Sequence, residues 1–208
     1  MLACVFRLKH ANSAAASHMN HLREKLVLAS SSPRRTEILE RAGWPHEILV
    51  AGIDETVLPN EDPATYVQRL ARSKAEAVAN RLTEGLVLGA DTTVVVANQI
   101  LGQPVDEADA RRMLELLNAK WHEVLTAVAI VRVGGESRVA YETTRVRFAE
   151  MSDEEIDWYI ATREPFGKAG AYGIQGKAAL FIEEIEGDYF NIMGLPIRLV
   201  YELTGNAD

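Results

Sequence analysis

One cysteine, Cys4, stands among 208 residues, so no disulfide can form within the chain. The five histidines are scattered singly without metal-ligand spacing, which excludes a structural zinc site of the usual kind. No stretch approaches the ~18 consecutive apolar residues of a membrane-spanning helix. Basic residues are outnumbered, 22 against 30 acidic, and the net charge of −8 gives no general attraction to nucleic acid or to an anionic membrane. Any phosphate site must therefore be a local basic pocket. There is no Walker A sequence and no G-x-G-x-x-G after a strand, which removes the main support for an ATPase or a dinucleotide-dependent dehydrogenase. What is present, 48% apolar and 25% charged residues, suffices for a sizeable core, and the single cysteine fits a reducing cytoplasm.

Residues 1–24 differ from the rest. Their apolar part is shorter than the ~7–15 residue core of a signal peptide. The Ala- and Ser-rich stretch before Met19 reads as a disordered leader or non-native extension, with Met19 as an alternative start. From residue 25 to 208 strands and helices alternate, with no linker or repeat, as in one α/β domain with two lobes. The pattern predicts a strand at 26–29, a helix at 34–42 closed by Gly43, and a strand at 46–50. A long helix opens at Asp62-Pro63, with Lys74 beside its apolar stripe of Val67, Leu70, Ala71, Ala75, Val78 and Leu82. Residues 86–97 read as two strand segments around a polar insertion at 89–93, followed by a turn at Asn98-Gln99. Asp106 caps the next helix. Strands at 124–133 and 138–148 join through Gly134-Gly135. Ser152 and Glu155 form a capping box. A glycine-rich loop leads to a strand at 178–185, and a last helix runs from Pro196 to Leu203.

Residues 25–35 carry the strongest chemical signal, an apolar strand running into a helix start with hydroxyls and two guanidinium groups. Ser32 suits the N-cap and Pro33 the first helical position, leaving the first-turn N–H groups to face an anion. Arg34 and Arg35 can grip phosphate oxygens in bidentate fashion. The plainer alternative is a capped helix with solvated arginines. Asp54 and Glu55 end a strand, where carboxylates can hold Mg²⁺ together with phosphate oxygens. Asp91 lies inside an apolar strand pair, where an ionised carboxylate persists if a cation satisfies it and where it can serve as general base. In the loop from Gly167 to Gly176, Lys168 can neutralise phosphate, and Gln175 can both donate to and accept from a base edge.

The segments Ser30-Ser31-Ser32-Pro33-Arg34-Arg35, Gly52-Ile53-Asp54-Glu55, Arg69-Leu70-Ala71-Arg72-Ser73-Lys74, Gly89-Ala90-Asp91-Thr92, His122-Glu123-Val124-Leu125-Thr126 and Lys168-Ala169-Gly170-Ala171-Tyr172-Gly173-Ile174-Gln175-Gly176 together closely resemble the Maf family of nucleoside triphosphate pyrophosphatases. The match runs in order over about residues 25–203. The resemblance implies an elongated mixed α/β sheet with helices, two lobes around a cleft, similar to the inosine triphosphatase type. It also implies hydrolysis between the α- and β-phosphates with help from Mg²⁺ or Mn²⁺, by a homodimer; the charge and the single cysteine add the expectation of a cytoplasmic protein that binds neither nucleic acid nor membrane. Arg34, Thr92 and Gln175 match the subgroup that acts on dTTP and UTP, including modified pyrimidines, and they are expected to select the substrate. A glutamine amide can pair with the carbonyl and imide N–H of uracil or thymine. The alternatives are the branch acting on 7-methyl-GTP and a low-turnover nucleotide-binding regulator linked to septum formation.

By that resemblance Asp91, Glu55 and Lys74 are the catalytic set; Glu55 and Asp91 are both expected to bind the metal, with Asp91 assigned as general base and Glu55 as the purer metal ligand, roles that sequence does not separate. Ser30, Arg34, Arg35, Thr92, Gln103, Lys168 and Gln175 bind substrate. Gln103 marks a departure: the family usually has Gly-Lys-Pro where this chain has Gly102-Gln103-Pro104. The lost cation is expected to weaken phosphate neutralisation, unless Lys177 or Arg69 fills the space.

Overall fold

Strand β1 (Leu26–Leu28) runs into helix α1 (Pro33–Arg41), and the chain returns as β2 (His46–Ile48), parallel to β1. The computed structural model describes residues 24–205, so the leader reading of residues 1–24 lies outside it except for Glu24. Helix α2 (Pro63–Ala79) starts at Asp62, whose carboxylate accepts from the Ala64 and Thr65 N–H groups. It leads to β3 (Leu86–Val96), parallel to the other edge of β1. Because β2 and β3 flank β1, the two crossovers send their helices to opposite faces. Ile38 and Leu39 of α1 pack with Leu26, Leu28 and Leu88, while Val67, Ala71 and Ala75 of α2 pack with Val27 and Val87. The strand order thus reverses between β1 and β3, and the crevice beyond such a switch point is where open α/β sheets bind ligands.

Beyond β1, strand β3 carries the chain into a second set of elements. Strand β4 (Gln99–Leu101) folds back antiparallel on β3 through Ala97 and Asn98, both at positive φ, so the turn falls one residue earlier than expected. Helix α3 (Glu107–Leu117) is capped by Asp106 as anticipated. Strands β5 (Trp121–Arg132) and β6 (Ser137–Phe148) form the expected hairpin, and α4 (Asp153–Ala161) opens with the Ser152–Glu155 capping box. Strand β7 (Ile182–Glu186) joins β6, and the short helix α5 (Tyr189–Met193) precedes α6 (Ile197–Gly205). The seven-stranded mixed sheet has the order β2-β1-β3-β5-β6-β7, with β4 on β3. Val94, Leu101, Leu114, Phe148 and Tyr159 anchor a core cluster of this second region.

The expectation of two strand segments at 86–97 is corrected: β3 is one strand of 11 residues. Its backbone is held by β5 from Leu86 to Val95. On the other edge only residues 86–88 meet β1 and only 94–96 meet β4. Among the described residues, 89–93 therefore have no neighbouring strand there, and the polar residues Asp91, Thr92 and Thr93 fall in that gap. The neighbour is interrupted, not the strand.

Two further readings change. The strand expected at 178–185 begins only at Ile182, because the N–H groups of Lys177 and Ala178 turn to the Glu164 carboxylate and leave a 3₁₀ turn over Lys177–Leu180. Helix α5 was hidden by its length. Asp188 caps its start and Gly194, at φ +99°, ends it in the left-handed region that suits glycine.

Candidate active site

An open cleft of about 1020 Å³ lies along the unpaired edge of β3. The ten residues assigned catalytic or substrate-binding roles line it: Ser30, Arg34, Arg35, Glu55, Lys74, Asp91, Thr92, Gln103, Lys168 and Gln175; Asp54, weighed beside Glu55, does not, and the strand expected to end at this pair stops at Ile48. Their position follows from the fold. The strand-to-helix turn after β1 supplies the first three, the gap in β3 supplies Asp91 and Thr92, and α2 and the 167–176 loop supply the lysines.

Lys74 is the centre of one group. Its Nζ donates to Asp91 Oδ1 at 2.7 Å and stands 2.9 Å from Glu55 Oε1, so two carboxylates converge on one ammonium. Asp91 is buried and Glu55 is 54% exposed at its side chain. Burial raises the Asp91 pKa above the ordinary aspartate value, against the opposing pull of Lys74 and Arg35, while the Glu55 charge raises it further. Tyr66 was missed in the sequence, although it lies eight residues before Lys74 on α2. Its hydroxyl donates to the Glu55 carbonyl, and burial followed by the Asp91 and Glu55 charges pushes its pKa up to about 12. Thr93 also lines the cleft, with its buried Oγ1 lacking a partner among the described residues.

Arg35 and Arg34 behave differently. The buried Arg35 donates from Nε to the Gly194 carbonyl at 2.8 Å, from Nη1 to Ser30 Oγ at 2.9 Å and from Nη2 to Thr92 Oγ1 at 3.1 Å. Ser32 occupies the N-cap position with extended backbone but makes no side-chain cap; its own N–H donates to Ser30 Oγ at 3.2 Å. Ser32 thus holds the expected N-cap position, and the first turn of α1 is open to an anion as expected. Arg34 is partly buried, and that burial lowers its pKa.

The 167–176 loop brings Lys168, Tyr172 and Gln175 to the cleft. Lys168 Nζ donates to the Glu164 carbonyl; burial and then the Arg34 charge lower its pKa. Glu164, also missed, holds the loop: its carboxylate accepts from Tyr159 OH at 3.0 Å and from the N–H groups of Lys177 and Ala178. Burial would raise its pKa, but those hydrogen bonds win and lower it. Gln103 and Gln175 are exposed. Neither Arg69 nor Lys177 lines the cleft, and Arg69 is engaged by Glu61 and the Thr56 carbonyl. His122 and Thr126 stand on β5 outside the cleft lining. His122 Nε2 and Tyr172 OH are 2.8 Å apart, and burial pulls the imidazole pKa down to about 4.

Residues 25–207 match the model of the family described as Maf-like protein. The chain belongs to the Maf family. A relative from Bacillus cereus, named dTTP/UTP pyrophosphatase, is 51% identical over 180 residues, covering 86% of this chain and 94% of that one. One of the same name from Symbiobacterium thermophilum is 52% identical over 182 residues, covering 87% and 93%. The fold is similar to that of the Staphylococcus aureus Ham1 protein, with a TM-score of 0.53 at 13% identity, covering 88% of this chain and all of that one. That likeness supports the expected mixed-sheet fold alone.

Among the described residues no three His, Cys, Asp or Glu side chains cluster as a ready metal site in this Maf protein. Glu55 and Asp91 do converge, on the Lys74 ammonium, and one or two carboxylates beside water and phosphate oxygens are the donors by which Mg²⁺ is usually held. No helix among the described residues is long and apolar enough to cross a membrane.

Proposed function

We propose that this protein hydrolyses dTTP and UTP, and modified pyrimidine triphosphates of the same shape, to the nucleoside monophosphate and pyrophosphate. In this reading residues 25–208 act as one catalytic unit in the cytoplasm. The observation that carries the reading is the pairing of Asp91 and Glu55 on Lys74 in a cleft that also holds Arg34, Arg35 and Lys168. The names of the Maf relatives support the substrate.

A triphosphate carries about four negative charges, so the barrier to attack is lowered mainly by positioning and charge neutralisation. Arg34, Arg35, Lys168 and the open first turn of α1 hold phosphate oxygens. Asp91, with its raised pKa, takes a proton from the attacking water as oxygen bonds to the α-phosphorus and the bond to pyrophosphate breaks. Lys74 keeps Asp91 ionised and aligned. The more exposed Glu55, with Asp91, would hold a divalent cation, which when bound neutralises phosphate charge. Gln175 reads the pyrimidine edge, and Gln103 hydrogen-bonds a phosphate oxygen.

The test is a panel of dTTP, UTP, purine triphosphates and 7-methyl-GTP with Mg²⁺ and Mn²⁺, followed by product analysis. Release of pyrophosphate and monophosphate from dTTP and UTP is expected. Turnover confined to 7-methyl-GTP, or nucleotide binding without turnover, overturns it.

A further inference from the structure

We infer that Thr126 and Asn191 are positioning residues for Arg35, acting through Thr92 by a one-way chain of hydrogen bonds. The inference rests on the hydrolytic reading of the cleft, in which Arg35 meets phosphate. Proton accounting gives the chain its direction. A hydroxyl has one proton to donate. Thr126 Oγ1 donates its proton to the Asn191 carbonyl at 2.8 Å, and a carbonyl has none to return. In the 3.0 Å pair of Thr92 and Thr126, Thr92 must therefore be the donor. Its proton is committed, and toward Arg35 Nη2, 3.1 Å away, it can only accept. The guanidinium thus meets a fixed lone pair rather than a hydroxyl free to rotate.

The far end of the chain is equally held. Asn191 is fully buried, and its Nδ2 donates to the Val124 carbonyl at 2.8 Å and to Thr144 Oγ1 at 3.0 Å. This ties α5 to β5 and β6. The same short helix ends at Gly194, whose carbonyl takes the Arg35 Nε proton. Helix α5 therefore grips the guanidinium twice, directly through Gly194 and across the sheet through Thr126 and Thr92. With Ser30, three of the five guanidinium N–H groups are spent on protein, and two remain for a ligand in an orientation the protein has set. Thr126 touches no cleft surface, so its contribution is orientation alone.

The experiment is a double-mutant cycle of Thr126→Val with Arg35→Lys, since lysine lacks the planar fork that the chain orients. Removing one such hydrogen-bonded link is expected to lower kcat/KM on dTTP by about three- to tenfold in the Arg35 protein. Thr126→Ser, which keeps the hydroxyl, should stay within about twofold. In the Arg35→Lys background the Thr126→Val loss should vanish, the coupling expected of residues acting as one unit. An unchanged Thr126→Val protein, or an equal loss in both backgrounds, overturns the inference and leaves Thr126 a core residue. Should Thr126→Val fail to fold by circular dichroism, Thr126→Ala takes its place in the cycle. If the wild-type protein releases no pyrophosphate from dTTP, the hydrolytic reading fails by itself. The same cycle is then read as the dissociation constant of α,β-imido-dTTP, where a coupled loss supports the positioning chain and an additive or absent loss overturns it.

Discussion

Gly89 of β3 lies so close to Ala71 of α2 that a Cβ at position 89 would stand 2.2 Å from the Ala71 carbonyl oxygen and 2.9 Å from Ala75 N. This close approach sets the depth of the helix on the sheet. Along a strand alternate residues share a face, so Asp91 points to the same side as Gly89. One helical turn presents Lys74 between Ala71 and Ala75, and its Nζ reaches Asp91 at 2.7 Å. The ion pair at the heart of the cleft thus depends on a residue with no side chain.

Gly89→Ala should push α2 outward and, as an overpacked contact against backbone, destabilise the fold by about 1–3 kcal/mol. Because the shift separates Lys74 from Asp91, kcat should fall by more than the loss of folded protein explains. Urea melting together with active-site-normalised kcat measures both. Wild-type stability and turnover would show that helix depth does not set the pair.

Asp91→Asn should lower kcat by about 10²–10⁴-fold, the usual effect of losing a general base. Stability should not follow. The folded pKa of Asp91 is raised, so its favourable share of stability is present below the unfolded value and is lost as pH rises through the folded value. At neutral pH the neutral amide should leave the melting temperature unchanged or higher. The acid limb of the wild-type kcat/KM profile should likewise lie above the ordinary aspartate range. A variant keeping more than half of wild-type kcat removes Asp91 from the base role.

Elements with strong local signals were legible in the sequence: α2 from its stripe and Asp62 cap, α4 from its capping box, and the β5–β6 hairpin from Gly134-Gly135. Elements set by distant partners were not. Residues 178–181 run without Gly or Pro into the strand at Ile182 and read as its start, but Glu164 takes the N–H groups of Lys177 and Ala178, and nothing local announces that. The polar stretch of β3 reads as a break because sequence shows the strand and not its missing neighbour. The ten cleft residues were found by motif, while Tyr66, Thr93 and Glu164 needed the packing. The motif could not tell the two adjacent arginines apart.

Those arginines should separate in experiment. Arg35 has three hydrogen bonds to protein, so Arg35→Ala leaves buried acceptors unmet and should lower both melting temperature and kcat/KM. Arg34→Ala should keep the melting temperature and cost about 1.5–3 kcal/mol in transition-state binding, the worth of a charge-assisted hydrogen bond to phosphate. Thermal melting beside steady-state kinetics resolves the two. Equal melting losses in both would mean that Arg34 is structural as well.

Gln103, where the resemblance led to the expectation of a lysine, lines the cleft, and Gly102 just before it accepts a hydrogen bond from Gly170 of the Lys168 loop at 3.0 Å. With Arg69 bound to Glu61, and neither Arg69 nor Lys177 lining the cleft, neither of them fills the missing charge. A Gln103→Lys protein therefore adds a cation beside the phosphates. At an effective dielectric of about 20, a pair ~4 Å apart interacts by ~4 kcal/mol before desolvation and screening are subtracted. An opposing effect is already visible in the free protein. Arg34 helps to lower the pKa of Lys168, so cations crowd this cleft before substrate arrives. The tetra-anionic substrate outweighs that crowding, and the net outcome should be about a tenfold rise in kcat/KM on dTTP, shrinking as salt screens the new pair. Kinetics at low and moderate ionic strength decide the matter: no rise at either would mean that Arg34 and Lys168 already neutralise the phosphates and that Gln103 is no impaired lysine.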